Sequence, residues 1–456
     1  MHSERPGAKK TISALTVDPE GLFMLEELEI RLPQDIFAEL GGDRAQRSCE
    51  TFRSLRRSAL SWLDGQLGVS LRYAAAAATA ARREEQHEFC QLAQFWYVAL
   101  LIGARELETA QGVLGAIEIR SDDSVSQSVA AMSHVVRGKL LLAVGSIDAS
   151  IVEINNGLEI AQRCRVRSLR PPSYVTIALG TLRRADMRSC LHFVDKLAEE
   201  AQLGYFGQAA GAWVTAQAVE ARSGVASAAG LIDGIVTNPL VLRQLLVSEP
   251  AAASWLVRAA DKLGAQDLAE RSVAAAIDTS VRNQQFSVIR GSALHAAGQL
   301  EGDSCKLREA AYLYPDRWCV ASAKEDLADV LAKRCSERTE AIGTLESALE
   351  TYTEVSSPRD ASRVVGKLRE FGVRRGAIRT TECEGLLPSG ASNRSQHGLT
   401  NTEFAVAELV SQGFTNNEVG RQLFISQHTV AFHLKKVFQK LNVASRVELA
   451  ANWKMT

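Results

Sequence analysis

A chain of 456 residues, 46% apolar and 23% charged, has a globular composition and is too long for one ordinary domain. Its net charge of −1 excludes an overall basic field, so any hold on nucleic acid must come from a local patch. The eight cysteines (Cys49, Cys90, Cys164, Cys190, Cys305, Cys319, Cys335, Cys383) form no Cys-x-x-Cys and sit beside no histidine pair. Structural zinc needs closely spaced ligands, so reduced, mostly buried thiols in a cytoplasmic protein are expected, with no metal and no cofactor.

The opening MHSERPGAKKTISAL (1–15) is charged but lacks a signal-peptide apolar core, and residues 1–20 read as a disordered tail. From 21 to 376 the pattern is helical. Ala, Leu, Glu and Arg dominate, apolar residues recur at three and four, and no stretch alternates as a strand would. The run YAAAAATAARREE (73–85) is strongly helix-forming. AQFWYVALLIGA (93–104) is the most apolar run, about half the length that spans a bilayer, so no membrane partner is expected.

Glycines recur at Gly103, Gly145, Gly180, Gly224, Gly264 and Gly298, roughly one helical hairpin apart, and small residues follow several of them at Ser150, Ala185, Ala229 and Ala269. The expectation is helix, tight glycine turn, helix, stacked because one hairpin cannot bury its own apolar stripe. The pattern loosely resembles tetratricopeptide-like superhelices, although most of that repeat's aromatic and proline positions are absent. The predicted fold class is therefore all-α, an α-solenoid over 21–376.

Catalytic patterns are missing from this part. Gly138-Lys139 and Gly366-Lys367 lack the rest of a phosphate loop, and no G-x-S-x-G, H-E-x-x-H or paired-carboxylate motif occurs. His134, His192 and His295 lie alone on predicted helices and read as core or surface histidines; FRSLRRS (52–58) reads as a solvated helix face. No catalytic residue is assigned, and the chain is not expected to be an enzyme.

AIRTTECEGLLPSGASNRSQHG (377–398) breaks the helical pattern and reads as a flexible tether. A small domain over 399–456 follows. Thr400-Asn-Thr-Glu403, Thr415-Asn-Asn-Glu418 and Ser445-Arg-Val-Glu448 are capping boxes, Ser426 is a fourth N-cap, and Gly413 is a helix stop. They predict helices over about 401–412, 416–424, 427–441 and 446–454. In the third, Val430, Leu434, Val437 and Leu441 share the core face. Opposite them lie His428, Phe432, Lys435, Lys436 and Gln439, with Ala431 on the flank. Cations, an amide and apolar groups on one exposed strip suit a major-groove helix. Gly420 allows the close helix crossing such a pair needs. Arg421, Arg446 and the capped amino ends at Thr415, Asn416 and Ser426 are candidates for phosphate.

The stretch 399–450 resembles a LuxR-type, GerE-like helix-turn-helix domain through LT-x-x-E, G-F-T-N-x-E, S-x-x-T-V-x-x-H, K-L-x-V and S-R. The resemblance implies that the helix after Ser426 enters the major groove, with Ser426, Thr429, Ala431, Phe432, His433, Lys435 and Lys436 facing DNA. It also implies a dimer contact through Val447, Ala450, Ala451 and Trp453. The chain departs from the family at Thr402, where arginine is frequent, and at Ala431, where lysine is usual. The order array, tether, GerE-like domain is similar to the carboxyl half of the large ATP-binding, MalT-like LuxR regulators, without their nucleotide-binding part. The expected function is a bacterial transcription regulator that binds double-stranded promoter DNA as a homodimer, with RNA polymerase and a protein or small-molecule effector as further partners. The alternative is an interaction scaffold whose helix-turn-helix serves docking.

Overall fold

The computed structural model describes residues 50–83, 87–117, 124–200, 205–334, 337–373, 399, 401–423, 427–441, 443 and 445–453. The expected tail (1–20) and tether (377–398) lie outside them. The described residues are helical with no strand, so the protein is all-α. The chain divides into two compact units, Met1–Phe371 and Gly372–Thr456.

The first unit runs α1 (Glu50–Leu63), α2 (Leu67–Arg83), α3 (His87–Gly103), α4 (Leu107–Gly115), α5 (Ser124–Val144) and α6 (Ile147–Arg163). It continues with α7 (Arg170–Arg183), α8 (Met187–Glu200), α9 (Tyr205–Ser223), α10 (Val225–Thr237), α11 (Pro239–Ser248) and α12 (Ala252–Leu263). Then come α13 (Gln266–Arg282), α14 (Ser287–Glu301), α15 (Ser304–Leu313), α16 (Arg317–Ala332), α17 (Arg338–Glu354) and α18 (Pro358–Glu370). Several starts are capped by side chains: Asn238, Asp303 and Asp316 each accept from two amides of the first turn. Among the described residues, no single helix is long and apolar enough to cross a membrane; α10 and α11, apolar together, are bent by 94° at Asn238-Pro239.

Consecutive helices pack as hairpins, and their tight turns keep a regular period. A left-handed residue sits at Gly65, Arg105, Gly145, Ala185, Gly224, Gly264 and Gly302, 38 to 40 residues apart, with others outside that series at Arg165 and Ser356. At all but Gly224 the next amide bonds back five residues, as Glu106 N does to the Leu101 carbonyl at 2.9 Å. This places the turns differently from the glycine reading. Gly103, Gly180 and Gly298 lie inside helices, and the chain turns at Arg105, Ala185 and Gly302 instead. A glycine in the preceding turn serves approach: a Cβ on Gly298 would lie 2.8 Å from Leu307 Cγ. Gly138 does the same against Ile154, where Ser150 Oγ donates to the Gly138 carbonyl at 2.6 Å.

The array also meets itself at long range. Asn283 Nδ2 donates to the Gly65 carbonyl at 2.8 Å, the Gly68 amide donates to Asn283 Oδ1 at 3.3 Å, and Arg243 pairs with Asp64 at 3.0 Å. One hairpin on, Arg105 Nε donates to Asp316 at 3.1 Å. One further on, Gly145 lies so close to Val355 that a Cβ would sit 2.8 Å from Val355 Cγ1. Successive turns thus touch residues a little over 210 positions downstream. The apolar core runs unbroken from Leu55 to Ala323.

Charge is buried within this unit. His295 is enclosed between Tyr314 and Asp326, its Nε2 2.7 Å from Asp326, which also accepts from Gln299 and Arg258. Glu325 accepts from Arg363, Lys367 and Tyr352. Burial alone would raise Glu325, yet Arg363, Lys367 and Arg258 together hold it well below the carboxylate range. Burial pulls His295 below the ordinary histidine value against the attraction of Asp326, so the fold holds it neutral.

Two outcomes are expected. Asn283→Ala leaves the Gly65 carbonyl and Gly68 amide without their partner and should cost about 1–3 kcal/mol, read as a lower urea midpoint at unchanged helicity. An unchanged midpoint would mean the distant turns meet without holding each other. The unfolded chain takes up a proton on His295 near pH 6.5 that the fold refuses, so stability falls as pH drops through that value. The depressed carboxyl of Glu325 adds a second loss in the same direction at lower pH, because the unfolded carboxyl is protonated first. His295→Gln should flatten the slope of stability between pH 7 and about 5.5 and leave the lower limb; equal slopes in both proteins would remove His295 from the account.

Candidate nucleic-acid interface

The second unit carries α19 (Asn401–Ser411), α20 (Asn416–Leu423), α21 (Gln427–Leu441) and α22 (Arg446–Trp453). α19 packs on α21 and α22, and α20 packs on α21. The core is Leu399, Val406, Ala407, Val410, Val419, Val430, Leu434, Val437, Val443 and Leu449, edged by Phe404, Phe414, Phe438 and Trp453. Gly413 ends α19 at φ +94°, with the Phe414 amide bonding back to Leu409.

The local codes work as their chemistry requires. Thr415 Oγ1 accepts from the Glu418 amide at 3.3 Å, while Glu418 Oε2 accepts from the Thr415 amide at 2.8 Å, a complete capping box at the start of α20. Ser445 Oγ accepts from the Glu448 amide at 3.2 Å and starts α22. The first box rests on Thr400, outside the described residues. Its Glu403 is nevertheless informative: it is 3% exposed and accepts from Lys440 Nζ at 2.6 Å, which ties α19 to the end of α21.

α21 presents two faces. Val430, Leu434 and Val437 are buried, while Ala431, Lys435, Lys436 and Gln439 are exposed on the opposite side. His433 is half-buried on the flank. Arg446 is also half-buried; one terminal nitrogen donates to the Phe414 carbonyl at 2.9 Å and to Asn416 Oδ1 at 3.0 Å, joining the start of α22 to the turn before α20. Thr415 is exposed at that same helix start. Trp453 packs inside the unit, its ring 5.1 Å from Phe404, and Ala450 is half-buried. Gly420, Arg421, His428, Thr429, Phe432, Val447 and Ala451 lie on these helices with their side chains outside the described set, and Ser426 lies outside it entirely.

The structure therefore brings Ala431, Lys435, Lys436 and Gln439 onto one exposed strip and sets Thr415, Asn416 and Arg446 together at the α20 start. It also separates Lys440 from the strip, because Glu403 engages it. The Glu403–Lys440 and Arg446–Asn416 links went unread because each joins residues 30 or more positions apart. The only local sign was a glutamate directly beside core positions.

A strip of two exposed lysines and an amide, backed by an apolar face and preceded by a capped short helix, can neutralise phosphates and reach base edges. Comparison with known proteins points the same way. The family described as bacterial regulatory proteins, luxR family (GerE), matches residues 397–452. A Mycobacterium bovis protein named as a candidate HTH-type transcriptional regulator is 46% identical over 56 residues, 12% of this chain and 6% of its own length. The transcriptional regulatory protein ComA of Bacillus subtilis is 38% identical over 61 residues, 13% of this chain and 28% of its own. LiaR of the same organism is 36% identical over 65 residues, 14% of this chain and 31% of its own. The chain thus spans under a third of each of these relatives, all through this one region. Residues 397–452 are a helix-turn-helix domain of the luxR family of bacterial regulatory proteins.

Proposed function

We propose that the protein is a bacterial transcription regulator that binds promoter DNA through α21, with the helical array of the first unit controlling that binding in response to a ligand or partner. The observation that carries the reading is the exposed strip of Ala431, Lys435, Lys436 and Gln439 inside a luxR-family domain. Lys435 and Lys436 meet phosphate or guanine, Gln439 and Ala431 meet base edges, and His428, Thr429, Phe432 and His433 complete the groove-facing set. Ser426 and Arg421 join Thr415, Asn416 and Arg446 as phosphate contacts; one terminal nitrogen of Arg446 also fixes the α20 amino end through Phe414 and Asn416. A domain this small covers a short half-site, so occupancy rests on two copies held together. Val447, Ala450 and Ala451 are the self-contact on α22. Trp453 joins them, its half-buried ring also resting on Phe404.

Full-length protein incubated with sheared genomic DNA should enrich fragments sharing a two-fold motif. Lys435→Ala/Lys436→Ala should lose that enrichment. On an enriched site the double variant should bind roughly tenfold or more weakly, and the slope of log affinity against log salt should become shallower by about 2, one for each phosphate that a lysine no longer neutralises. Parallel salt slopes for the two proteins would remove α21 from the DNA. Absence of enrichment, with full-length protein and with residues 385–456 alone, would favour a scaffold role.

A further inference from the structure

Arg183, the last residue of α7, is 6% exposed. Its guanidinium lies over the Trp318 ring, 4.3 Å from the centroid. It pairs with no carboxylate among the described residues, and its Nε has no hydrogen-bond partner. A guanidinium stays charged across the pH range of a folded protein, so it cannot escape burial by releasing a proton. A buried charge without a counter-ion is strongly unfavourable.

Three carboxylates of this region are committed elsewhere. Asp360 accepts from Trp318 Nε1 at 2.9 Å, from Ser357 Oγ at 2.6 Å and from Arg363 at 2.6 Å. Asp316 holds Arg105, and Glu220 holds Lys262 and the Trp255 indole. A second guanidinium, Arg359, sits next to Asp360 at the start of α18, a helix that packs on α7. It forms no ion pair among the described residues, and burial outweighs the attraction of Asp360 to pull it below the usual arginine value. α9 also packs on α7. On the α9 face that carries Glu220, which neighbours Arg359, Trp213 Nε1 and Gln217 Nε2 are buried without partners. Every unmatched group named here is a donor. Buried donors are ordinarily paired, and an acceptor-rich anion is what would pair the two guanidiniums.

We propose that the meeting of α7, α9 and α18 is a binding site for a small molecule bearing a carboxylate or phosphate group, paired by Arg183 and Arg359 beside the Trp318 ring. The site gives the effector of the proposed regulator a chemical class, and only its regulatory meaning rests on that reading; occupancy itself requires no DNA.

Melting of the full chain, without DNA, tests this in inorganic phosphate and in succinate, each against chloride of equal ionic strength. The wild-type protein should melt on the order of 3 °C higher in at least one of the two anions. A response to phosphate alone assigns a phosphoryl ligand, and a response to succinate alone a carboxylate. Arg183→Met should melt above wild type in chloride, because the unpaired buried charge is gone, and should gain nothing from the anion. Arg359→Gln, at a less buried position, should keep its melting point in chloride and lose most of the anion-dependent rise. Equal rises in wild type and both variants would be the general salting-out effect and would overturn the site. So would Arg183→Met melting below wild type in chloride, which would make the arginine a structural post against Trp318. Either failure leaves the genomic DNA selection untouched, so the site and the DNA reading fall separately.

Discussion

The first unit depends on contacts between tight turns and residues a little over 210 positions downstream. Neighbouring hairpins in a helical array need only pack on each other, and such an array is open along its length. Here Asn283 bonds the Gly65 turn, Asp316 holds Arg105, and Val355 fills the space left by Gly145. These contacts let the non-glycine turn at Arg105 persist. A left-handed arginine costs on the order of 1 kcal/mol, but its side chain is held by Asp316 and by the Ile102 carbonyl. Asp316 has two tasks at once, since it also caps α16 through the Trp318 and Cys319 amides. A single carboxylate therefore starts one helix and closes a distant turn.

Buried charge arises at shorter range, between helices whose partners lie 31 to 68 positions apart. Bringing α12, α14, α16 and α18 together places His295, Asp326 and Glu325 where little water reaches them, met by the half-buried cations Arg258, Arg363 and Lys367. Ion pairs of this kind are poor sources of net stability, because desolvation offsets most of the attraction, but removing one partner is costly. They consequently fix which helices meet more than how strongly they adhere. The acid sensitivity expected of the unit originates in His295 and Glu325.

The two units differ in how legible they were. In the small domain the instructions are local: a hydroxyl and a glutamate three residues apart start α20, Gly413 stops α19, and the spacing of Val430, Leu434 and Val437 orients α21. What escaped was non-local, namely that Lys440 turns toward Glu403 and that Trp453 packs on Phe404. In the array the all-helical class and the approximate period were readable, but the turn positions were not. Arg105 and Ala185 carry no turn signal of their own, because their conformation is imposed by backbone bonds and distant partners. Gly180 and Gly298 were misleading for a complementary reason: glycine permits close helix approach as readily as it permits a turn. Unpaired Arg183 could not be seen at all, since a lone arginine near a helix end is ordinarily a solvated one.

The regular spacing of the turns has a hereditary consequence. Helical arrays commonly change size when one hairpin is duplicated or dropped, because each unit needs only its neighbours. Excising the forty residues between Gly145 and Ala185 would leave every remaining hairpin intact. It would also bring Ser356, not Asp316, to the chain distance at which Arg105 finds its partner, and Ala323, not Asn283, to that of Gly65. Serine has no charge to pair with the guanidinium, and alanine has no side-chain donor or acceptor at all. Copy number in this array is therefore constrained by pairs that no single hairpin contains.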